Sequence, residues 1–81
     1  MPRTVNEQEY LRRRNQILDA ALRLIYSKGY AQMTIQDILD QLQISKGAFY
    51  HYFDSKQAVM EALVERMFQE VQALVALAGQ G

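Results

Sequence analysis

Five ring-bearing side chains stand in a row at residues 49–53, FYHYF, with a lysine on either side at Lys46 and Lys56. Lysine ammonium groups and tyrosine hydroxyls hydrogen-bond phosphate oxygens, and the Ser45 hydroxyl suits phosphates and base edges alike. Side chains of these types, at this spacing, could therefore bind an anionic partner that forms hydrogen bonds. Bond-breaking chemistry has no support, because the sequence holds no Ser/His/Asp or Cys/His arrangement.

The rest of the composition also points away from catalysis and metal binding. The chain has a single histidine and no cysteine, so His51 has no obvious second ligand with which to hold a metal. Its carboxylates fall at helical spacing on polar faces, where charges are usually solvated. We therefore expect no catalytic residue, no metal site and no cofactor. The absence of cysteine also fits a reducing, cytoplasmic setting.

Length and charge predict one small globular domain. The chain has 81 residues, of which 49% are hydrophobic and 22% charged, and its formal net charge is zero. Its only basic cluster is Arg12–Arg14, which a solvated helix face explains more often than a binding patch does. The N-terminus has no apolar signal-peptide region, and no apolar run reaches the roughly 18 residues of a membrane span.

Hydrophobic periodicity predicts four helices joined by short connections, at about 7–28, 34–42, 45–52 and 54–78. Gly29 is suited to end the first helix in a left-handed conformation. Thr34 and Asp37 form a capping pattern at the start of the second helix, and Ser45 is a plausible cap for the third. The pattern recurs from Asp54 for the fourth helix, whose apolar stripe continues to the end.

A helical wheel of the third helix divides the rings between two faces. Phe49 and Phe53 lie one turn apart and are predicted to anchor the helix in the core. Tyr50, His51 and Tyr52 are predicted to face away, beside a small Gly47–Ala48 patch that lets a partner approach the backbone. A short helix seated on the preceding one, with a small, polar, cationic outer face, matches helix-turn-helix geometry.

Residues 34–63, TIQDILDQLQISKGAFYHYFDSKQAVMEAL, resemble the DNA-binding region of TetR-family transcriptional regulators. The family pattern is close to T-x-x-I-A-x-x-x-G-[VI]-S-K-G-x-[LF]-Y-x-[HY]-F-x-[SN]-K-x-x-L. It is matched at Thr34, Ile38, Ile44, Ser45, Lys46, Gly47, Phe49, Tyr50, Tyr52, Phe53, Ser55 and Lys56. Two positions depart from it, since Leu39 replaces the usual Ala and Gln43 replaces a frequent Gly.

The resemblance implies an all-α fold, a homeodomain-like bundle of three helices containing a helix-turn-helix, followed by a connecting fourth helix. The whole chain, 1–81, would be the DNA-binding domain, with the helix-turn-helix at about 34–53. The fourth helix, at about 54–78, would lead toward a regulatory domain that is absent from this chain.

The resemblance also implies which residues contact DNA. The set is Thr34, Gln36, Ser45, Lys46, Gly47, Ala48, Tyr50, His51, Tyr52 and Lys56. Thr34 and Gln36 begin the positioning helix. The residues that would lie in or beside the major groove are Ser45, Lys46, Gly47, Ala48 and Tyr50. Tyr50, Tyr52 and Lys56 would hold phosphates. Arg3 and Arg12–Arg14 are candidates for further phosphate or minor-groove contacts.

Regulators that this chain resembles bind a palindromic double-stranded operator as homodimers, through a C-terminal domain that also takes a small-molecule inducer. The function implied is transcriptional repression that the inducer relieves. The alternative is a helical protein–protein interaction module, in which the long, Met-containing fourth helix docks on a partner and the rings form a hot spot.

Overall fold

The computed structural model describes residues 5–79, and within that range it contains four α-helices and no strand. They are α1 (Val5–Lys28), α2 (Ile35–Leu42), α3 (Lys46–Tyr52) and α4 (Lys56–Gly79). The predicted all-α fold, with two short helices bracketed by two long ones, is confirmed. None of the described helices is long and apolar enough to cross a membrane.

The predicted stop of α1 and the predicted start of α2 are both present. Gly29 adopts φ +84°, and its N–H donates to the Ile25 carbonyl at 2.8 Å. The Thr34 hydroxyl accepts from the Asp37 N–H at 3.0 Å, and the Asp37 carboxylate accepts from the Thr34 N–H at 2.9 Å. This reciprocal capping box satisfies two N–H groups that a helix start otherwise leaves unpaired.

The start of α4 differs by one residue from the prediction. Ser55, not Asp54, supplies the capping oxygen, because its hydroxyl accepts from the Ala58 N–H at 3.0 Å. Its carbonyl accepts the helical bond from the Val59 N–H at 3.3 Å, which is the arrangement of an N-cap residue. At the start of α3, the Ser45 hydroxyl accepts from the Ala48 N–H at 3.0 Å, as predicted.

The tight turn between α2 and α3 forms without the glycine that is frequent there. Gln43 takes a left-handed conformation, φ 55° and ψ 47°, and its N–H donates to the Leu39 carbonyl. This conformation costs a residue with a Cβ roughly 1–2 kcal/mol relative to the right-handed one. The buried neighbours Ile38 and Leu39 hold the turn closed, so tertiary packing offsets that local cost.

The core lies where α1, α2, α3 and the first half of α4 meet. Its buried residues are Ile17, Leu18, Ala20, Ala21, Met33, Ile38, Leu39, Phe49, Phe53, Val59 and Leu63. Phe49 is fully buried, Phe53 is 5% exposed, and their ring centroids lie 6.2 Å apart. The two phenylalanines are thus the anchor of α3, as the helical wheel predicted.

Only the first half of α4 is packed against the domain. Val59 and Leu63 are buried, and Arg66 Nη1 reaches Asp19 Oδ1 of α1 at 3.0 Å. Every residue from 67 to 79 is exposed. The exposed large apolar side chains of α4 are Val64, Met67, Phe68, Val71, Leu74, Val75 and Leu77. The periodic stripe therefore continues as predicted, but it has no partner among the described residues.

Candidate nucleic-acid interface

The outer face of α3 carries most of the predicted contact residues. Because Phe49 and Phe53 are buried beneath the helix, its remaining faces are fixed relative to the core. Ser45, Lys46, Gly47, Tyr50 and His51 are exposed on it. Tyr50 is 43% exposed, and its ring stands edge-on to that of Phe49 at 5.3 Å. That contact holds the Tyr50 ring while leaving it accessible.

Gly47 lies on this face, and no contact or backbone conformation within the domain requires a glycine there. It does not have a positive φ. A Cβ built on it would meet only the Ser45 hydroxyl, at 4.0 Å. Glycine in a helix interior costs roughly 0.5–1 kcal/mol relative to alanine. Neither the backbone conformation nor the packing therefore requires glycine at this position.

Tyr52 differs from the prediction, because it turns toward α1 instead of facing away. It is half-buried, and its ring centroid lies 4.9 Å from that of Tyr10. His51 is exposed as predicted, with its ring edge-on to Tyr10 at 5.7 Å. No sequence motif includes Tyr10. Its contacts with His51 and Tyr52 are seen only in the fold, which brings α1 close to α3.

A groove of about 350 Å³ separates α1 from α3 beside the exposed face. Arg13 and Gln16 line it from α1, and Ala48, His51 and Tyr52 line it from α3. Ala48 is half-buried here. The groove therefore brings one cation and one amide of α1 next to the predicted contact residues of α3, which the sequence alone did not indicate.

Two arginines of the basic cluster pair with one glutamate, and the third lies over an aromatic ring. Arg12 Nη2 and Arg13 Nε both donate to Glu9 Oε2, at 2.7 and 2.8 Å, and the Arg12 hydrogen bond lowers the pKa of Glu9. Arg14 lies over the Phe53 ring, 5.0 Å from its centroid. Arg13 is thus the member that is both exposed and beside α3. Arg3 lies outside the described residues.

The start of α2 exposes Thr34 and Gln36, which are also predicted contacts. Thr34 uses its hydroxyl oxygen as a cap, accepting from the Asp37 N–H at 3.0 Å. Gln36 Nε2 donates to Asp40 Oδ1 at 2.8 Å. Lys28 Nζ donates to Asp37 Oδ2 at 3.0 Å, which ties the end of α1 to this same cap.

Asp37 should titrate below its ordinary range. The Thr34 N–H and then the Lys28 ammonium stabilise its carboxylate and lower its pKa. Its contribution to stability is therefore complete above the unfolded value of about 3.9 and is lost as pH falls through the lower folded value. Carboxyl-carbon NMR through an acid titration measures this pKa directly.

Two lysine variants provide the comparison for that titration. Lys28→Gln removes one stabilising partner and should raise the pKa of Asp37, whereas Lys46→Gln has no contact with Asp37 and should leave it unchanged. An Asp37 carboxyl that titrates at or above about 3.9 in the parent chain would contradict the capping geometry.

Lys56, the remaining predicted contact, is hydrogen-bonded within the domain. Its ammonium donates to the backbone carbonyls of Tyr30 at 2.7 Å and Met33 at 2.9 Å. It also lies over the Tyr30 ring, 4.4 Å from the centroid. The group is half-buried, so its charge is already engaged inside the domain.

Within residues 5–79 there is no group of three His, Cys, Asp or Glu side chains placed to hold a metal ion. The site is instead a surface of hydroxyls, one exposed lysine, a bare glycine and aromatic rings. Groups of these types can hydrogen-bond phosphates and base edges.

A short helix joined by a tight turn to another short helix, both seated on a longer one, places the chain in the helix-turn-helix class. The family model described as bacterial regulatory proteins, tetR family, matches residues 17–63. That match takes in α2, α3, the first part of α4 and more than half of the chain, and the chain belongs to this family.

Relatives of known sequence and structure share the same region. The HTH-type transcriptional regulator in the lacX 3′ region of Lactococcus lactis subsp. lactis is 46% identical over 52 residues, which are 64% of this chain and 26% of the relative. The HTH-type transcriptional repressor KstR2 of Rhodococcus jostii (strain RHA1) is 32% identical over 59 residues, 73% of this chain and 29% of the repressor.

A solved structure shows the same arrangement of helices. The crystal structure of a transcriptional regulator (TerR/AcrR family) from Aquifex aeolicus VF5 has 31% sequence identity and a TM-score of 0.73, and the match covers 75% of this chain and 36% of that one. The present chain thus spans only about a quarter to a third of the length of these relatives.

Proposed function

We propose that this chain is the DNA-binding domain of a transcriptional regulator and that α3 enters the major groove of double-stranded DNA. The observation that carries the proposal is the division of α3 into two faces. Phe49 and Phe53 fix the helix in the core, while the opposite surface is small, exposed and rich in donors. A helix held in this way presents side chains to base edges without further ordering of the backbone.

The proposed contacts fall into two groups. Ser45, Lys46, Gly47 and Tyr50 are exposed at the centre of the face and would meet base edges and flanking phosphates. Around them lie Ala48, His51 and Tyr52 on the groove side, and Thr34 and Gln36 at the start of α2. The family membership supports this assignment, since the relatives are described as HTH-type transcriptional regulators.

We infer a homodimer that reads a palindromic operator, with repression relieved when a small-molecule inducer binds a C-terminal domain. The exposed apolar side of α4 supports the role of that helix as a connection, because such a surface is normally covered in a soluble protein. A repressor among the relatives supports repression as the outcome.

Amide-shift mapping by NMR tests the DNA interface. The chain is titrated with a generic 20-base-pair duplex at low salt and again at about 200 mM, where competing counterions weaken phosphate contacts. We expect the shifted amides to cluster at Thr34 and at residues 45–52, and the shifts to diminish at the higher salt concentration.

The same titration contains its own control in the second half of α4. Residues 67–79 are exposed and lie beyond the packed domain, so their amides should not move. Shifts confined to that segment would favour the protein-interaction alternative and would contradict the assignment of α3 to DNA. No shift at either salt concentration would contradict DNA binding by this chain.

A further inference from the structure

Three aromatic rings, one from α1 and two from the last turn of α3, contact one another beside the predicted DNA face. The Tyr10 ring centroid lies 4.9 Å from that of Tyr52, with the ring planes tilted by 38°. It lies 5.7 Å from that of His51, with the planes at 81°. The His51 and Tyr52 centroids are 4.9 Å apart. All three separations fall within the roughly 4.5–7 Å over which aromatic pairs attract each other, so Tyr10, His51 and Tyr52 form one ring cluster.

The ring cluster lies where α1 and α3 are not closely packed along their whole length. One turn away from Tyr10, a groove of about 350 Å³ opens between Arg13 of α1 and Ala48 of α3. Long side chains make the contact between the two helices at the end of α3, since Arg14 lies over the Phe53 ring at 5.0 Å in addition to the ring cluster. Tyr10 is therefore one of the side chains by which α1 fixes the last turn of α3.

His51 and Tyr52 depend on the ring cluster more than the other rings of α3 do. The two phenylalanines of α3 are buried in the core, and the Tyr50 ring stands against one of them at 5.3 Å. His51 is exposed, and its ring contacts are those with Tyr10 and Tyr52. A side chain that is already held in place loses less conformational freedom when a partner binds, which strengthens binding.

We propose that Tyr10 of α1 is a positioning residue for DNA binding, whose ring holds the rings of His51 and Tyr52 in place before DNA arrives. The proposal rests on the DNA-binding function proposed above and adds to it a residue outside the helix-turn-helix. Tyr10 acts through its ring and its two neighbours, so its hydroxyl group is not required and contacts neither a base nor a phosphate.

Three variants separate the ring of Tyr10 from its hydroxyl group. Tyr10→Leu removes the ring but keeps an apolar side chain that favours a helix, and Tyr10→Phe keeps the ring and removes only the hydroxyl group. Tyr26→Leu is the matched control, because it makes the same change as Tyr10→Leu on α1, where the side chain is 83% exposed. The affinity of each variant for the same duplex is measured by fluorescence anisotropy.

We expect Tyr10→Leu to lower the affinity for the duplex about two- to tenfold, the change that corresponds to one lost aromatic pair. Tyr10→Phe and Tyr26→Leu should bind as the parent chain does. Equal losses of affinity in Tyr10→Phe and Tyr10→Leu would show that the hydroxyl group contacts DNA, and this would overturn the positioning role.

NMR of the free protein tests the same proposal without DNA. In the parent chain, the ring protons of Tyr10 should give nuclear Overhauser cross-peaks to those of His51 and Tyr52. The His51 ring signals should move in Tyr10→Leu, return close to their parent positions in Tyr10→Phe, and stay unchanged in Tyr26→Leu. The parent measurement needs no variant, so the absence of these cross-peaks overturns the proposal even if Tyr10→Leu does not fold.

The two measurements together distinguish a failure of this proposal from a failure of the proposed function. If the parent chain binds no duplex, the DNA-binding function fails and the positioning role fails with it. If the parent chain binds and Tyr10→Leu binds equally well, only the positioning role fails, even where the cross-peaks confirm the ring cluster.

Discussion

Phe49→Ala is expected to unfold the domain. The side chain is fully buried in the core to which all four helices contribute, and emptying such an aromatic site costs about 3–5 kcal/mol. A domain of this size has only about 3–5 kcal/mol of net stability. The variant should therefore lose most of its helical signal at room temperature, which far-ultraviolet circular dichroism with urea or thermal melting measures.

Phe68→Ala is the matched control for that experiment. It makes the same chemical change on α4, where the ring is 60% exposed. Surface substitutions away from special features usually change stability by less than about 0.5 kcal/mol. If Phe49→Ala and Phe68→Ala melt at the same temperature as the parent chain, Phe49 does not anchor α3 in the core.

Gly47→Ala is expected to stabilise the protein and weaken its binding to DNA. The added methyl group would meet only the Ser45 hydroxyl at 4.0 Å, so the domain gains the roughly 0.5–1 kcal/mol by which alanine exceeds glycine in a helix. The melting temperature should rise by roughly 2–8 °C. On the outer face, the same methyl group would stand between the helix and the DNA.

The loss of affinity should be about tenfold or more, since overfilling a close contact costs about 1–3 kcal/mol. Fluorescence anisotropy with a labelled duplex measures it alongside the melting temperature. Gly79→Ala, near the far end of α4 with nothing within 4 Å, should leave DNA binding unchanged. Parent-like DNA binding by Gly47→Ala would show that α3 does not approach DNA at this position.

If Gly47→Ala raises stability and lowers DNA affinity, the glycine serves binding and not folding. Replacing a glycine that a turn requires lowers the stability of the protein. We expect this for Gly29, whose φ is +84°. Gly47 has no such conformation and no close neighbour. Its sequence context marked a small patch, but only the structure shows that nothing inside the protein occupies the space above it.

The helices and their ends were predictable because their causes are local. A capping box joins residues three apart, as Thr34 and Asp37 do, and an apolar stripe repeats every three or four positions. The Glu9 contacts with Arg12 and Arg13 are local as well, at spacings of three and four. Spacings of three and four residues place these side chains on one face of a helix, so the pairing is readable from the sequence.

Apolar periodicity did not reveal where α4 leaves the domain. Val59, Leu63, Met67, Val71 and Leu74 follow one pattern, yet the first two are buried and the last three are exposed. Apolar periodicity identifies the face of a helix that is suited to burial. It does not identify the surface that packs against that face. The helix simply extends beyond the reach of α1, where Arg66 and Asp19 form a last contact at 3.0 Å.

By itself, the sequence determined the all-α fold, the helix-turn-helix, the buried pair Phe49 and Phe53, and a polar face on α3. These follow from short-range spacing, which sets both secondary structure and the direction of each side chain. Tertiary structure alone decided that Tyr52 packs on Tyr10 and that Lys56 binds the carbonyls of Tyr30 and Met33. Those partners are more than twenty residues apart in the chain, so their meeting depends on how the helices cross rather than on any local pattern.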